Sequence, residues 1–151
     1  MLDVNEKLRE VAKVGSEVEL KALLDDPGCD TWSKDRGGMT ALMWAANCGQ
    51  DACVRLLLPL SDARAKSDGG HTALIHAACR GSEECVRLLL PKSDVLATNV
   101  DGKTASMCAH ERCHKSLAKF LEACELSQTE QASIEGAASH ATPRKRAAPR
   151  V

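Results

Sequence analysis

The sequence predicts an all-α protein built from stacked helix-turn-helix units, and an internal repeat carries this prediction. Residues 40–46 (TALMWAA) return 32 positions later as residues 72–78 (TALIHAA), and again, more weakly, as residues 104–110 (TASMCAH). A second block, residues 53–59 (CVRLLLP), returns as residues 85–91 at the same spacing. A fixed period of this length is typical of solenoids, in which each unit buries its apolar face only against its neighbours.

The unit that contains Thr72 shows how the pattern builds two helices. An Asp-Gly-Gly turn precedes Thr72, whose hydroxyl can cap a first helix that we expect over residues 73–79. Gly81 ends this helix, because glycine tolerates the left-handed conformation. A second helix begins at Ser82 and stops at Pro91, which has no N–H to continue it.

With these features the chain resembles the ankyrin repeat family, whose unit is a turn, two antiparallel helices and a hairpin-like outer loop. The first matching unit contributes Gly38, Thr40, Ala41, Leu42, Ala45, Ala46, Gly49, Val54, Leu57 and Leu58. The second contributes Gly70, Thr72, Ala73, Leu74, Ala77, Ala78, Gly81, Val86, Leu89 and Leu90. The third retains Gly102, Thr104, Ala105, Ala109 and Leu121. The chain departs from the family in having alanine for proline after each threonine, and proline for the glycine after the second helix.

The resemblance implies an ankyrin-repeat solenoid over residues 1–126, in four units. Their approximate bounds are 5–34, 35–67, 68–100 and 101–126. We interpret the first and last units as caps, because a stack must hide its ends from water. Polar and small residues predict a disordered tail over residues 127–151, and its basic run Arg144-Lys145-Arg146 is a weak candidate for an import signal.

The composition and charge of the chain argue against several classes of function. The formal net charge of −1 gives no overall field that would favour nucleic acid. No run of 18 apolar residues is present to span a membrane, and the N-terminus lacks the basic and apolar regions of a secretory signal. We therefore expect a cytoplasmic monomer, with nuclear entry as an option, that binds neither nucleic acid nor membrane and carries no cofactor.

In the family that the chain resembles, partners commonly contact the turn tips and the exposed parts of the first helices. The resemblance therefore implies a non-enzymatic protein–protein interaction module, used as an adaptor or regulatory subunit, that binds another protein through this concave face. The candidate binding residues are Arg36, Met39, Trp44, Asn47, Asp68, His71, His76, Arg80, Lys103 and Arg112. Trp44, Arg36 and Arg80 are the preferred anchors, because tryptophan and arginine are over-represented among interface hot spots.

The alternative function is a thiol- or metal-responsive regulator. Thiolates and imidazoles bind zinc, and Cys108, His110, Cys113 and His114 lie close together in sequence. The spacing lacks the two-residue gap that is usual between paired zinc-binding cysteines, so no metal site is predicted. Cations beside Cys79 and Cys113 could activate a thiol, but no third group is evident to orient a base. We interpret most of the eight cysteines as small buried apolar residues.

Overall fold

The computed structural model describes residues 3–130, and all regular structure in this part of the chain is helical. The first seven α-helices are α1 Val4–Val14, α2 Glu17–Leu24, α3 Ala41–Cys48, α4 Asp51–Leu57, α5 Ala73–Arg80, α6 Glu83–Leu89 and α7 Ala105–Glu111. Helix α8 covers residues 115–130. The all-α prediction is confirmed. None of the described helices is long and apolar enough to cross a membrane.

The helices pack in two layers, in chain order. Helices α1, α3, α5 and α7 contact one another in succession and form the inner layer. Helices α2, α4 and α6 form the outer layer, each packed against the inner helix that precedes it. Leu117, Ala118 and Leu121 of α8 are buried in the same continuous core. The described chain is therefore a solenoid of helix pairs.

The structure confirms the predicted cap at Thr72. The Thr72 hydroxyl accepts a hydrogen bond from the Ile75 N–H at 3.2 Å, and Thr40 makes the equivalent contact one unit earlier at 3.3 Å. Such caps satisfy a donor that the first turn of a helix leaves free. Thr104 differs, since its hydroxyl bonds with that of Ser106 at 2.9 Å.

The inner helices end in a left-handed residue. Gly49 and Gly81 have φ values of 73° and 82°. Cys113 holds this place in the last unit with φ 65°, and no other non-glycine residue in the described part has a positive φ. The outer helices end differently, because α4 and α6 each run into a 3-10 turn that contains Pro59 or Pro91. The α-helices thus end two residues before each proline, and the proline lies within the tighter turn.

Backbone hydrogen bonds join successive turn tips. The Asp68 N–H donates to the Gly37 carbonyl at 3.0 Å, and one unit later the Val100 N–H donates to the Gly69 carbonyl at 3.1 Å. The turns can approach each other this closely only because a glycine follows each accepting carbonyl. A Cβ on Gly70, at φ +75°, would lie 2.8 Å from the Val100 backbone nitrogen. Each turn therefore positions the next.

The C-terminal end of the stack is covered less completely than its interior. Met43 and Ile75, at equivalent positions in successive units, are both 1% exposed. Met107 holds the same position in the last unit and is 52% exposed, because no described unit packs over it. The last unit closes the two helical layers through α8, and it leaves this apolar side chain in contact with water.

Helix α8 extends beyond the predicted start of the tail. The sequence predicts a disordered segment from residue 127, but residues 127–130 continue the helix. Their polar side chains find partners one turn back: the Ser127 and Thr129 hydroxyls donate to the carbonyls of Ala123 and Glu125 at 3.0 and 2.9 Å. The rest of the predicted tail, including its basic run, lies outside the described residues.

Gly70→Ala and Gly102→Ala should separate backbone strain from steric conflict. Both glycines have φ +75°, but a Cβ on Gly102 meets nothing within 4 Å, whereas one on Gly70 meets the Val100 backbone. Gly102→Ala should lower the free energy of unfolding by about 1–2 kcal/mol. Gly70→Ala should cost at least about 1 kcal/mol more, because backbone must move. Urea denaturation checks this, and equal losses would contradict the described turn contact.

Candidate protein-binding site

One polar side chain organises each turn tip. The Asp35 Oδ1 atom accepts the N–H groups of Gly37 and Met39, both at 2.9 Å. Asn99 Oδ1 accepts two N–H groups of its own turn at 2.9 and 3.0 Å. The Ser67 hydroxyl accepts one at 3.3 Å. Sequence reasoning missed these residues, although they recur every 32 positions, five before each threonine.

Met39 does not belong to the binding surface. The sequence places it at a turn tip, but its side chain is 9% exposed and packs in the hydrophobic core. Burial removes an apolar thioether from water, which is favourable, and the hydrogen bond from its N–H to Asp35 holds the backbone in place. The prediction of Met39 as a contact residue is therefore wrong.

The Trp44 side chain makes two contacts with neighbouring residues of the same protein. Its indole N–H donates to the Asp35 Oδ2 atom at 2.8 Å. The Lys13 ammonium lies 4.2 Å from the centroid of its ring, which is a cation–π contact. The half-buried indole therefore joins α1, α3 and the first turn. Its predicted role as an anchor remains a prediction, and a partner that stacks on its face would have to displace Lys13.

The Asp35 carboxylate is stabilised in its ionised form. Burial raises the pKa of Asp35, but hydrogen bonds from the Met39 N–H, the Trp44 indole and the Gly37 N–H lower it by more, so the net pKa is below the usual value. Both carboxylate oxygens are thus engaged as acceptors at neutral pH. The same negatively charged carboxylate therefore accepts hydrogen bonds from the first turn and from Trp44.

His71 and His76 form a stacked pair between the second turn and α5. Their ring centroids are 5.2 Å apart, with 29° between the ring planes. The Asn99 side-chain amide lies 3.3 Å from the His71 Nε2 atom and can donate to it. The His76 Nε2 atom is buried and has no partner among the described residues. Burial, and secondarily His71, lowers the pKa of His76 to about 4, so this ring is neutral.

Among the described residues, the candidate cations of the binding site divide into one that forms an ion pair and three that do not. Lys103 contacts Glu111 at 2.5 Å, and this hydrogen bond raises the pKa of Lys103. Arg36, Arg80 and Arg112 are exposed, and none of them enters an ion pair within residues 3–130. Arg80 and Arg112 lie 32 residues apart, at the ends of α5 and α7. The structure therefore leaves three guanidinium groups available to a partner.

Asp68 and Asn47 are the two remaining residues that the sequence predicts as contacts of a partner protein. Asp68 is exposed at the second turn tip, and Asn47 is half-buried near the end of α3. The Asp68 backbone is tied to the first turn, so its carboxylate is presented from a fixed position. These residues remain predicted contacts.

The cysteine–histidine cluster does not form a metal site. Cys108 is buried, and burial raises its pKa to about 11, so the thiol stays protonated at neutral pH. His110 and Cys113 are exposed, whereas His114 is half-buried. No group of three His, Cys, Asp or Glu side chains in the described part of the chain is placed to hold a metal ion. The geometry thus gives the metal-responsive alternative no support.

The comparisons with known proteins agree with the fold. A family model described as "Ankyrin repeats (3 copies)" matches residues 8–99 and, in a second placement, residues 59–131. The two placements together span well over half of the chain. No curated protein matches the chain.

Asp35→Asn should break the indole contact while sparing the turn. Asn99 shows that an amide oxygen can organise this turn, but the amide nitrogen cannot accept the Trp44 N–H. We expect the free energy of unfolding to fall by about 1 kcal/mol at pH 7. Because the folded-state pKa of Asp35 is lowered, this stabilisation is present above pH 4 and is lost as the pH falls below it. Urea denaturation from pH 7 to pH 3 measures both effects, with Asp101→Asn at an exposed position as the control.

His76 should make stability fall in mild acid. Its folded-state pKa of about 4 lies below the ordinary value, so its contribution is present above about pH 6.5 and is lost as the pH falls toward 4. We expect His76→Leu to remove about 1–2 kcal/mol of the loss in unfolding free energy between pH 7 and pH 5. Denaturation at both pH values tests this, with His110→Leu as the exposed control. Equal pH dependence in wild type and His76→Leu would refute it.

Proposed function

The chain belongs to the ankyrin repeat family, and on that premise we propose that it is a non-enzymatic adaptor or regulatory subunit that binds a partner protein through its inner face. Ankyrin repeats are generally protein–protein interaction modules. We define the inner face as the turn tips at residues 35–39, 67–71 and 99–103 together with the exposed ends of α3, α5 and α7. The cytoplasmic location and the monomeric state stay predictions from the sequence.

The guanidinium groups of Arg36, Arg80 and Arg112, which enter no ion pair among the described residues, carry the proposal. Arg36 lies on the first turn tip, and Arg80 and Arg112 repeat one position at the ends of two neighbouring inner helices. Arginine presents five donors in a rigid fork that matches a carboxylate, and it loses little side-chain freedom for each bond formed. The partner that fits this arrangement is a protein segment that carries Asp or Glu side chains along the stack.

The scaffold around these cations is already organised. Backbone hydrogen bonds connect the turn tips, and Asp35, Ser67 and Asn99 hold the turns internally. The Arg80 side chain lies over Gly49 of the preceding unit, since its Cγ is 3.6 Å from where a Cβ on that glycine would be. A preformed surface pays little ordering cost on binding. Trp44 and Met39 contribute to this organisation and need not touch the partner.

Arg36→Ala, Arg80→Ala and Arg112→Ala together should reduce partner capture by at least about tenfold, because arginines at an interface centre often contribute more than 1 kcal/mol each. The measurement is affinity capture from a cell lysate, followed by quantitative mass spectrometry of the wild type and the triple variant. All three residues are exposed, so the melting temperature should change by less than about 2 °C.

Arg55→Ala is the matched control. Arg55 is an equally exposed arginine on outer helix α4, where it pairs with Glu84 at 2.8 Å. This variant should capture the same proteins as the wild type. A folded triple variant that still captures them at wild-type levels would contradict the proposed surface, while leaving the family assignment intact.

A further inference from the structure

A second row of exposed side chains lies on the loops that precede the turn tips, outside the residues of the inner face. Trp32, Arg64 and Leu96 hold one position in three successive units, 32 residues apart. Trp32 is 60% exposed, Leu96 is 44% exposed, and Arg64 is also exposed. We propose that these three residues, the loop row, form a further docking surface for an extended segment of a partner protein that carries an acidic side chain between two apolar ones.

The same hydrogen bond fixes the backbone at each position of the loop row. In every loop the side chain of an aspartate two residues earlier accepts the backbone N–H of the loop-row residue. These aspartates are Asp30, Asp62 and Asp94, and the distances are 2.9, 2.9 and 3.0 Å. Such local bonds hold a turn in one conformation. The three loops therefore present the loop row from a repeated backbone geometry.

The residue that precedes each loop-row position faces the core. Ala63 and Val95 are only 5% and 0% exposed, and Thr31 at the equivalent position is half-buried. Since each following residue is exposed, the loop-row side chains project away from the core. Equivalent positions of stacked units point in the same direction, so the three side chains share one side of the stack.

Hydrogen bonds also connect the three loops with one another. The Thr31 hydroxyl donates to the Leu60 carbonyl at 2.5 Å, and the Lys34 ammonium donates to the Lys66 carbonyl at 3.2 Å. Lys66 repeats this second contact with the Thr98 carbonyl at 3.0 Å. The loops are thus fixed relative to each other, and little ordering cost remains for binding.

The chemistry of the loop row determines which partner fits. Arg64 enters no ion pair among residues 3–130, and it lines one cavity of about 280 Å³ together with Leu96. A guanidinium group matches a carboxylate with two parallel hydrogen bonds. Single exposed apolar residues are common on protein surfaces, but Trp32 and Leu96 recur at one register with a cation between them. Tryptophan is also enriched among interface hot spots.

The spacing of the units fixes the spacing of side chains in the partner. Packed helices lie about 8–10 Å apart, so Trp32 and Leu96, two units apart, are separated by roughly 16–20 Å. An extended chain advances about 3.3 Å per residue. The two apolar residues of the segment therefore lie about five or six positions apart, with Asp or Glu near the middle.

Selection from a peptide display library tests this pattern. The full chain is immobilised and offered random twelve-residue peptides, in parallel with the Trp32→Ala, Arg64→Ala and Leu96→Ala variants. Peptides that the wild type enriches and every variant loses should carry two apolar residues about five or six positions apart and an acidic residue between them. All three positions are exposed, so each variant should melt within about 2 °C of the wild type.

A synthetic peptide of the selected sequence then measures the individual contacts. Fluorescence anisotropy of the labelled peptide should give a Kd at least about tenfold higher for Trp32→Ala and for Arg64→Ala. Replacement of the acidic residue in the peptide by its amide should weaken binding to the wild type, but not further to Arg64→Ala, because the two groups act as a pair. Leu126→Ala removes an apolar side chain of α8 that is 66% exposed, and this control should bind like the wild type.

Three outcomes would overturn the loop row as a peptide-binding surface. The first is that no enriched peptide depends on its residues, and the second is that the amide peptide loses equal affinity for the wild type and for Arg64→Ala. The third is a dimer in sedimentation equilibrium that Trp32→Ala dissociates, since a second copy of the chain would then occupy the surface.

The loop row and the inner face can be tested separately. The variant that combines Arg36→Ala, Arg80→Ala and Arg112→Ala should bind the selected peptide like the wild type, because these residues lie outside the loop row. Trp32→Ala should in turn leave capture through the inner face unchanged. Failure of either surface therefore leaves the other proposal standing.

Discussion

Packing of the inner helices against one another, unit against unit, is the interaction on which the structure depends. A single helix pair has an apolar face that it cannot cover alone, so stability comes from contact with the next pair. Met43 and Ile75 are 1% exposed, whereas Met107, without a following unit in the described part, is 52% exposed. Full burial of such a side chain is worth roughly 1.5–3 kcal/mol. The sequence repeats every 32 residues because each unit makes this packing contact with the next one.

The turns convert the stack into a surface of defined shape. Glycines at positive φ allow the tips to approach, and one polar side chain per turn holds the backbone N–H groups. This polar organisation uses residues that could otherwise have faced a partner. Asp35 and Trp44 engage each other, and His71 covers His76. The side chains of Arg36, Arg80 and Arg112 are exposed and enter no ion pair within residues 3–130, so they remain available to a partner.

The cysteines show how position decides the role of one residue type. Cys53 and Cys85 are fully buried and act as small core residues, as the sequence predicts. Cys113 takes a left-handed backbone conformation that glycine holds in other units. Cys79 on α5 is half-buried and Cys108 on α7 is buried, and burial raises the pKa of both thiols. Composition alone predicts none of these differences.

The sequence by itself determined the helical class, the repeat period and the Thr40 and Thr72 caps, because these follow from local chemistry that recurs every 32 residues. The Thr72 cap and the Gly81 stop needed no knowledge of distant residues. Only the tertiary structure decided that Met39 is buried, that Trp44 binds Asp35, and that His71 stacks on His76. Each of these outcomes depends on which side chain another turn or helix places next to the residue. Aligning the repeats identifies equivalent positions, but it does not show which side chains contact each other between units.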